Sequence, residues 1–402
     1  MDSEQLYDVI IIGGGPAGCA TALSLVRSKP DTSFLLVDDA DPSKFKIGES
    51  LPADTTRILA YLDPDLPETL EEDTDSGKHV YCTGNASVWN TSDIHETDSI
   101  MNPYGMGLHL DRAVFDELLR ESVRAISHDQ KPGHVLHGSF TAVAKDSNSW
   151  LVSVDDVGSG KTIVYRSNWI IDASGRKASV AQKLGAKTVK QDSLLAFYTV
   201  FAVSEHSEVD DDHRTLIEAT PSGWFYTSQL AQNRRVVVYH TDDKDPSSKI
   251  ARKIDGFLNL LHTQARFISS IIQDADYDVL NEPGTNYPKC TAAGSSNLEP
   301  ACDDESRWYA VGDAAMAFDP LSSQGMITAL KMGSRLGLEL ARVLDSDTQA
   351  VSEAGRDGVT TERRTMADVY KAVRDDYDSK KIYYYSQVRR FDTDFWKRRQ
   401  GA

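Results

Sequence analysis

Residues Tyr7 to Leu25 read YDVIIIGGGPAGCATALSL: an apolar run, a cluster of glycines, then an alanine-rich amphipathic stretch. Val9 to Ile12 is the short β-branched run that suits a buried parallel strand, and Ala17 to Val26 follows with helical periodicity. Between them Gly13, Gly15 and Gly18 complete the spacing G-x-G-x-x-G. In such a turn the first glycine permits the sharp bend and the second brings bare backbone up to a pyrophosphate. The third lets helix and strand pack closely, with the helix N-terminus facing the anion. A second strand, SFLLVDD at 33–39, ends in acid about 20 residues after the last glycine, where a carboxylate takes the adenosine ribose hydroxyls. Asp38 is the first choice for that role and Asp39 its rival. The order strand, glycines, helix, strand, acid predicts a dinucleotide site.

With 402 residues there is room for two or three domains and a sizeable core. The formal net charge of -18, from 43 basic and 61 acidic side chains, argues against nucleic acid or an anionic membrane surface as partner. No stretch approaches the roughly 18 consecutive apolar residues of a membrane span. Asp2 and Glu4 are unlike a signal peptide, so a soluble cytoplasmic protein is expected. The four cysteines, Cys19, Cys82, Cys290 and Cys302, are scattered without a C-x-x-C pair, which indicates neither a disulfide framework nor a metal site. VGSGKT at 157–162 resembles the end of a phosphate loop, but Asp155 stands where that motif needs glycine. Its alternating flanks predict a β-hairpin instead.

The nature of the dinucleotide follows from a second cofactor segment far down the chain. Residues 307–324 read RWYAVGDAAMAFDPLSSQ, a strand ending in Gly312 and Asp313, a loop with Pro320, and a helix predicted to start near Ser322 and run to about Leu344. A nicotinamide dehydrogenase normally completes its cofactor domain early, whereas flavin enzymes of the hydroxylase type return to the cofactor late. Asp313 at a strand end suits a ribitol hydroxyl, and helix amides suit the flavin N1 and C2 carbonyl, where reduction places negative charge. The cofactor predicted is noncovalent FAD.

GGGPAG, FKIGESLP, MGLHLDRAVFDELL, WIIDASGRKASVAQKLG, SGWFYTSQL and YAVGDAAMAFDPLSSQGMITAL occur in that order. Together they resemble the FAD-dependent monooxygenases and flavin-dependent halogenases of the hydroxybenzoate-hydroxylase fold. More closely, with NASVWNTSDIHETDSIMNPYGMGLHLDR and FWKRR, the chain resembles the halogenase-like flavoproteins that hydroxylate protein tryptophan during quinone-cofactor biogenesis. The resemblance implies that Gly13, Gly15, Gly18 and Asp38 hold the ADP half, with Arg112 near the pyrophosphate or ribose. It sets Glu49 and Ser50 beside the isoalloxazine, and Asp313, Pro320, Ser323, Gln324 and Gly325 along its pyrimidine edge.

Departures from the family pattern sharpen the expectation. Hydroxylases that take NADPH directly carry an Asp-Gly signature where this chain has Asp172, Ala173, Ser174 and Gly175, so electrons are expected from a separate flavin reductase. Halogenases need a relaying lysine and a W-x-W-x-I-P segment. Here Trp224, Phe225, Tyr226, Thr227 and Ser228 occupy the corresponding stretch, and Lys78 reads as a solvated loop residue. The reaction expected is therefore hydroxylation of an electron-rich, aromatic small molecule by O2 through a flavin C4a-hydroperoxide. Oxidase or dehydrogenase chemistry, halogenation and modification of a partner-protein tryptophan are the alternatives.

The expected architecture is α/β, a Rossmann-like FAD-binding domain (1–78, 104–186 and 286–345) interleaved with a β-rich substrate domain (79–103 and 187–285). A linker and C-terminal helical segment (346–402) complete it. The strand-like runs LLAFYTVFAV, TLIEA, SGWFYTSQL and RRVVVYHT predict a substrate sheet rich in aromatic residues. Trp224 and Tyr226 are its expected substrate contacts, and His240 its titratable candidate near neutral pH. The last helix, with Met366, Val369, Tyr370, Val373 and Tyr377 on one face, is expected to lie over the substrate domain.

Overall fold

A computed structural model describes residues 6–41, 44–126, 133–203, 210–281, 285–349 and 365–400. Its centre is a parallel sheet. The strand Leu6–Ile12 pairs in parallel with Phe34–Asp38 on one side and Lys161–Asp172 on the other. Gly133–Asp146 and Trp308–Ala310 extend it outward. Val9, Ile10 and Ile11 are fully buried, as a strand covered on both faces must be. The helix Pro16–Ser28 lies on this sheet and packs along the long helix Gly325–Gln349, where Gly333 and Gly337 bring the backbones together. The far ends of Gly133–Asp146 and Lys161–Asp172 leave the parallel core and pair with Ser149–Asp156. The VGSGKT stretch is the turn between two of those strands.

A second sheet, of eight strands, has at its heart the antiparallel strands Leu194–Val203, Arg234–Asp242, Gly223–Leu230 and Thr215–Thr220, in that spatial order. The strands Gly84–Val88 and His95–Asp98 extend one end. Lys289–Ala292 also pairs with Leu194–Val203, so this part of the 286–345 segment belongs to the substrate-side sheet and not to the cofactor domain. A small three-stranded sheet, Ser50–Leu51, Gly107–His109 and Val80–Cys82, links the two.

Two other expectations are corrected. The helix after Pro320 begins at Gly325, because Pro320–Ser322 forms a separate 3-10 turn and Ser323 adopts a left-handed conformation (φ 47°). The C-terminal helix Met366–Ser386 does not lie over the substrate sheet alone. Met366, Tyr370 and Tyr377 enter the cofactor-side core, and Tyr385 enters the substrate-side core with Phe395 and Trp396. The linker residues 350–364 lie outside the described residues. No described helix is long and apolar enough to cross a membrane.

Candidate functional site

Where the first strand meets its helix, Gly13 has φ 113°, a conformation an L side chain rarely adopts. A Cβ on Gly18 would collide with the carbonyl oxygen of Gly13, so helix and turn touch only because both are glycine. Gly15 differs: an added Cβ there meets nothing within 4 Å, because its backbone faces an open cavity of about 600 Å³. A volume of this size is typical of cofactor and ligand sites. Gly325, at the start of the long helix, also faces open space.

The cavity runs from the glycine turn, past the ends of the parallel strands, to the inner face of the substrate-side sheet. Gly13, Gly15, Asp38, Glu49, Ser50, Arg112, Asp313, Pro320, Ser323, Gln324 and Gly325 all line it, as do Tyr226 and His240. Gly18 does not; it packs behind the turn. Asp39 lines the cavity beside Asp38. Asp38 Oδ1 accepts from the Gly14 amide at 3.0 Å and Oδ2 from Arg120 Nη1 at 3.0 Å. Arg120 also donates to the Gly14 carbonyl at 3.1 Å and bonds Glu117, although it is only 4% exposed. The sequence reading missed this arginine. Its signal is the helical spacing: Arg120 follows Arg112 by about two turns and shares its face. Arg112 itself bonds the Gly48 carbonyl at 3.1 Å and Asp116 at 3.0 Å. Although burial opposes it, the charges of Arg112 and Lys46 hold the Asp116 carboxyl below its ordinary range.

At the other end, Tyr226 Oη donates to Glu49, which also accepts from Ser228 Oγ at 2.6 Å, and Ser50 Oγ lies 2.8 Å from Tyr226 Oη. Burial, then the neighbouring Glu49 carboxylate, pushes the Tyr226 phenol well above its usual value. It therefore stays protonated at neutral pH. His240 lies directly opposite Trp224 in the adjacent strand and stacks on its ring at 3.8 Å. Among the described residues its Nδ1 has no hydrogen-bond partner. Burial, reinforced by the Arg399 charge, lowers its pKa to about 3.

The expectation that His240 titrates near neutral pH is thus corrected: it is a neutral imidazole there. An unfolded histidine titrates near 6.5, so between about pH 6.5 and 3 the unfolded chain binds one more proton than the native one. This contribution to stability is present above that window and is lost as pH falls through it, at up to about 1.4 kcal/mol per pH unit. His240→Phe, which keeps a ring on Trp224, is expected to flatten the acid slope. Urea unfolding of both proteins at pH 7 and pH 5 checks it, and equal losses in the two would contradict it.

Trp224 is also corrected. It is 1% exposed and lies outside the cavity lining, because its ring is covered by His240 and its Nε1 donates to Tyr385 Oη at 3.2 Å. It positions rather than contacts. Tyr385 Oη in turn donates to Asp319 Oδ2 at 2.8 Å, and the Asp319 amide donates to Tyr377 Oη at 2.7 Å. Arg399 Nη1 stands 3.6 Å from the same carboxylate. The C-terminal helices thereby brace the loop that carries Pro320 to Gly325.

The residues present suit a dinucleotide with a bulky planar end: glycine backbone and arginine at one end of a long cavity, polar loop and aromatic wall at the other. The protein is an FAD-dependent oxidoreductase, and FAD is its cofactor. No family model matches the chain. It is 29% identical over 399 residues to LodB of Marinomonas mediterranea, which carries the name of an FAD-dependent oxidoreductase, covering 99% of this chain and 98% of that one. Among solved structures, the myxobacterial chondrochloren halogenase CndH superposes with a TM-score of 0.78 at 18% identity, over 98% of this chain and 86% of that one. QhpG, a peptidyl tryptophan dihydroxylase essential for tryptophylquinone cofactor biogenesis, gives 0.71 at 18%, over 98% and 79%. In sequence and in fold the chain is thus similar to halogenase-like FAD-dependent oxidoreductases.

Proposed function

We propose that the protein is a monooxygenase that hydroxylates an electron-rich aromatic small molecule. The observation that carries this reading is that one cavity joins the glycine turn to the inner face of the substrate-side sheet, where Tyr226, His240, Ala196 and Val238 form its wall. When bound, FAD supplies the redox chemistry, delivering electrons to O2 and an oxygen atom to the substrate.

The chain's own residues do the rest. The Gly15 backbone, Asp38 and Arg112 would hold the ADP half, and the loop from Pro320 to Gly325 would hold the flavin end. Tyr226 Oη keeps its proton and offers a hydrogen-bonded, uncharged wall. Neutral His240 adds a polar atom without adding charge, which suits a pocket that must exclude water. Lys78, weighed for halogen chemistry, is paired with Asp73 at 2.6 Å and lies outside the cavity lining, which favours oxygen transfer. Electrons would come from a separate flavin reductase.

The test is turnover under 18O2 with a reductase and a panel of phenols and indoles. One heavy oxygen in the product and an oxygenated-flavin absorbance transient are expected. Oxidised product without label would favour an oxidase instead.

A second reading, in which the aromatic ring is carried by a protein, has its own observation. Ile100 and Met101 are 83% and 87% exposed, with Ile94, Tyr104 and Met106 also exposed nearby in the chain. The name of QhpG, a peptidyl tryptophan dihydroxylase, accords with it. Hydroxylation of a tryptophan in a co-expressed partner oxidase, read by peptide mass, would select it over the small molecule.

A further inference from the structure

We propose that Cys82 and His109 form a nucleophile–base pair that reduces hydrogen peroxide, making Cys82 a redox modification site next to the cofactor cavity. The small linking sheet sets the geometry. His109 stands opposite both Val80 and Ser50, while Cys82 stands opposite Gly107. Side chains alternate along a strand, so Val80 and Cys82 share the face that carries His109 and the cavity-lining Ser50. A Cβ on Gly107 would lie 3.7 Å from that of Cys82, and its absence leaves room beside the sulfur.

Thr215 Oγ1 joins the two groups, 2.9 Å from His109 Nε2 and 3.6 Å from Cys82 Sγ. His109 is fully buried, yet its Nδ1 has no hydrogen-bond partner. The imidazole can therefore take the thiol proton relayed through Thr215 Oγ1 to Nε2, with no partner competing at Nδ1 among the described residues. Burial alone would raise the Cys82 thiol, but the His109 imidazole, the Gly84 backbone and Thr215 outweigh it and bring it to about 7. Cys82 is half-buried. By contrast, Cys19 is buried and pushed far up, Cys302 is raised to about 11, and Cys290, although exposed, is also raised. Thiolate character and access coincide at Cys82, the combination that makes a cysteine reactive.

His109 takes the thiol proton, and the thiolate sulfur attacks one oxygen of hydrogen peroxide. An S–O bond forms as the O–O bond breaks. The departing hydroxide takes the proton from His109 and leaves as water, so the sulfur is oxidised to sulfenic acid and the peroxide is reduced. Added thiol returns it to the starting state.

The test uses the full chain with added peroxide and no turnover, so it is independent of the oxygenation reading. Iodoacetamide labelling, located by peptide mass, is expected to modify Cys82 at pH 7 at least about tenfold faster than Cys290, with a rate that rises through about pH 7. Peroxide followed by dimedone is expected to tag Cys82 first. His109→Gln is expected to slow the pH 7 labelling about tenfold and move its midpoint upward by more than about one unit. Cys82 labelling no faster than Cys290, or a midpoint unmoved in the folded variant, overturns the proposal. Should the variant not fold, the wild-type pH profile alone decides.

Discussion

Valine at Gly15 is expected to weaken FAD binding severely while leaving the protein folded. Gly15 has φ -81°, which any residue adopts, and a side chain there meets only the cavity. The space it fills is the space a pyrophosphate needs against bare backbone. A loss of affinity on the order of 100-fold, about 2.7 kcal/mol, is expected from flavin fluorescence titration. The circular dichroism spectrum of the unloaded protein should match wild type. Gly18→Val should behave differently, because its side chain strikes the Gly13 carbonyl and the damage falls on folding itself. Equal FAD affinity in Gly15→Val and wild type would mean that the cofactor lies elsewhere.

The second large effect is expected from Asp319→Ala. Asp319 is 1% exposed and accepts from Tyr385 Oη and the Leu321 amide, with Arg399 close by. Its removal strands a buried phenol and leaves the buried Arg399 with Asp192 as its remaining carboxylate, at about 3 kcal/mol of stability. FAD affinity should fall as well, since Pro320 and Ser323 follow on the same loop. Urea unfolding and flavin titration read the two effects separately. Tyr385→Phe, which removes one hydrogen bond and no charge, should cost about 1 kcal/mol.

The phosphate turn and the parallel core are legible in the sequence because local pattern and fold agree there: a β-branched run, glycines at fixed spacing, a helix and a second strand. The four central strands of the substrate-side sheet are legible for the same reason. Arg120 is not, because an arginine flanked by Glu117 and Arg124 on an amphipathic helix has the composition of a solvated face, and only the fold shows that this face meets Asp38. The helix start at Gly325 is hidden because Pro320 and Ser322 resemble a helix opening, and the left-handed Ser323 that interrupts it has no signature of its own. Periodicity displays the apolar face of Met366–Ser386 but cannot say what it touches. It touches both halves of the molecule, and Tyr385 joins Trp224 to Asp319.

The bracing of Asp319 also sets an order of events during synthesis. Its partners lie at Tyr377, Tyr385 and Arg399, the last 80 positions downstream (399 minus 319). At about 5–20 residues per second, the ribosome takes about 4–16 s to cover that distance. Throughout that interval the glycine turn has already been synthesised, while the loop from Pro320 to Gly325 lacks its buttress. Cofactor capture is therefore expected late in biogenesis, with the short helix Asp394–Arg399, rather than the glycines that open the chain, setting the moment at which the holoenzyme forms.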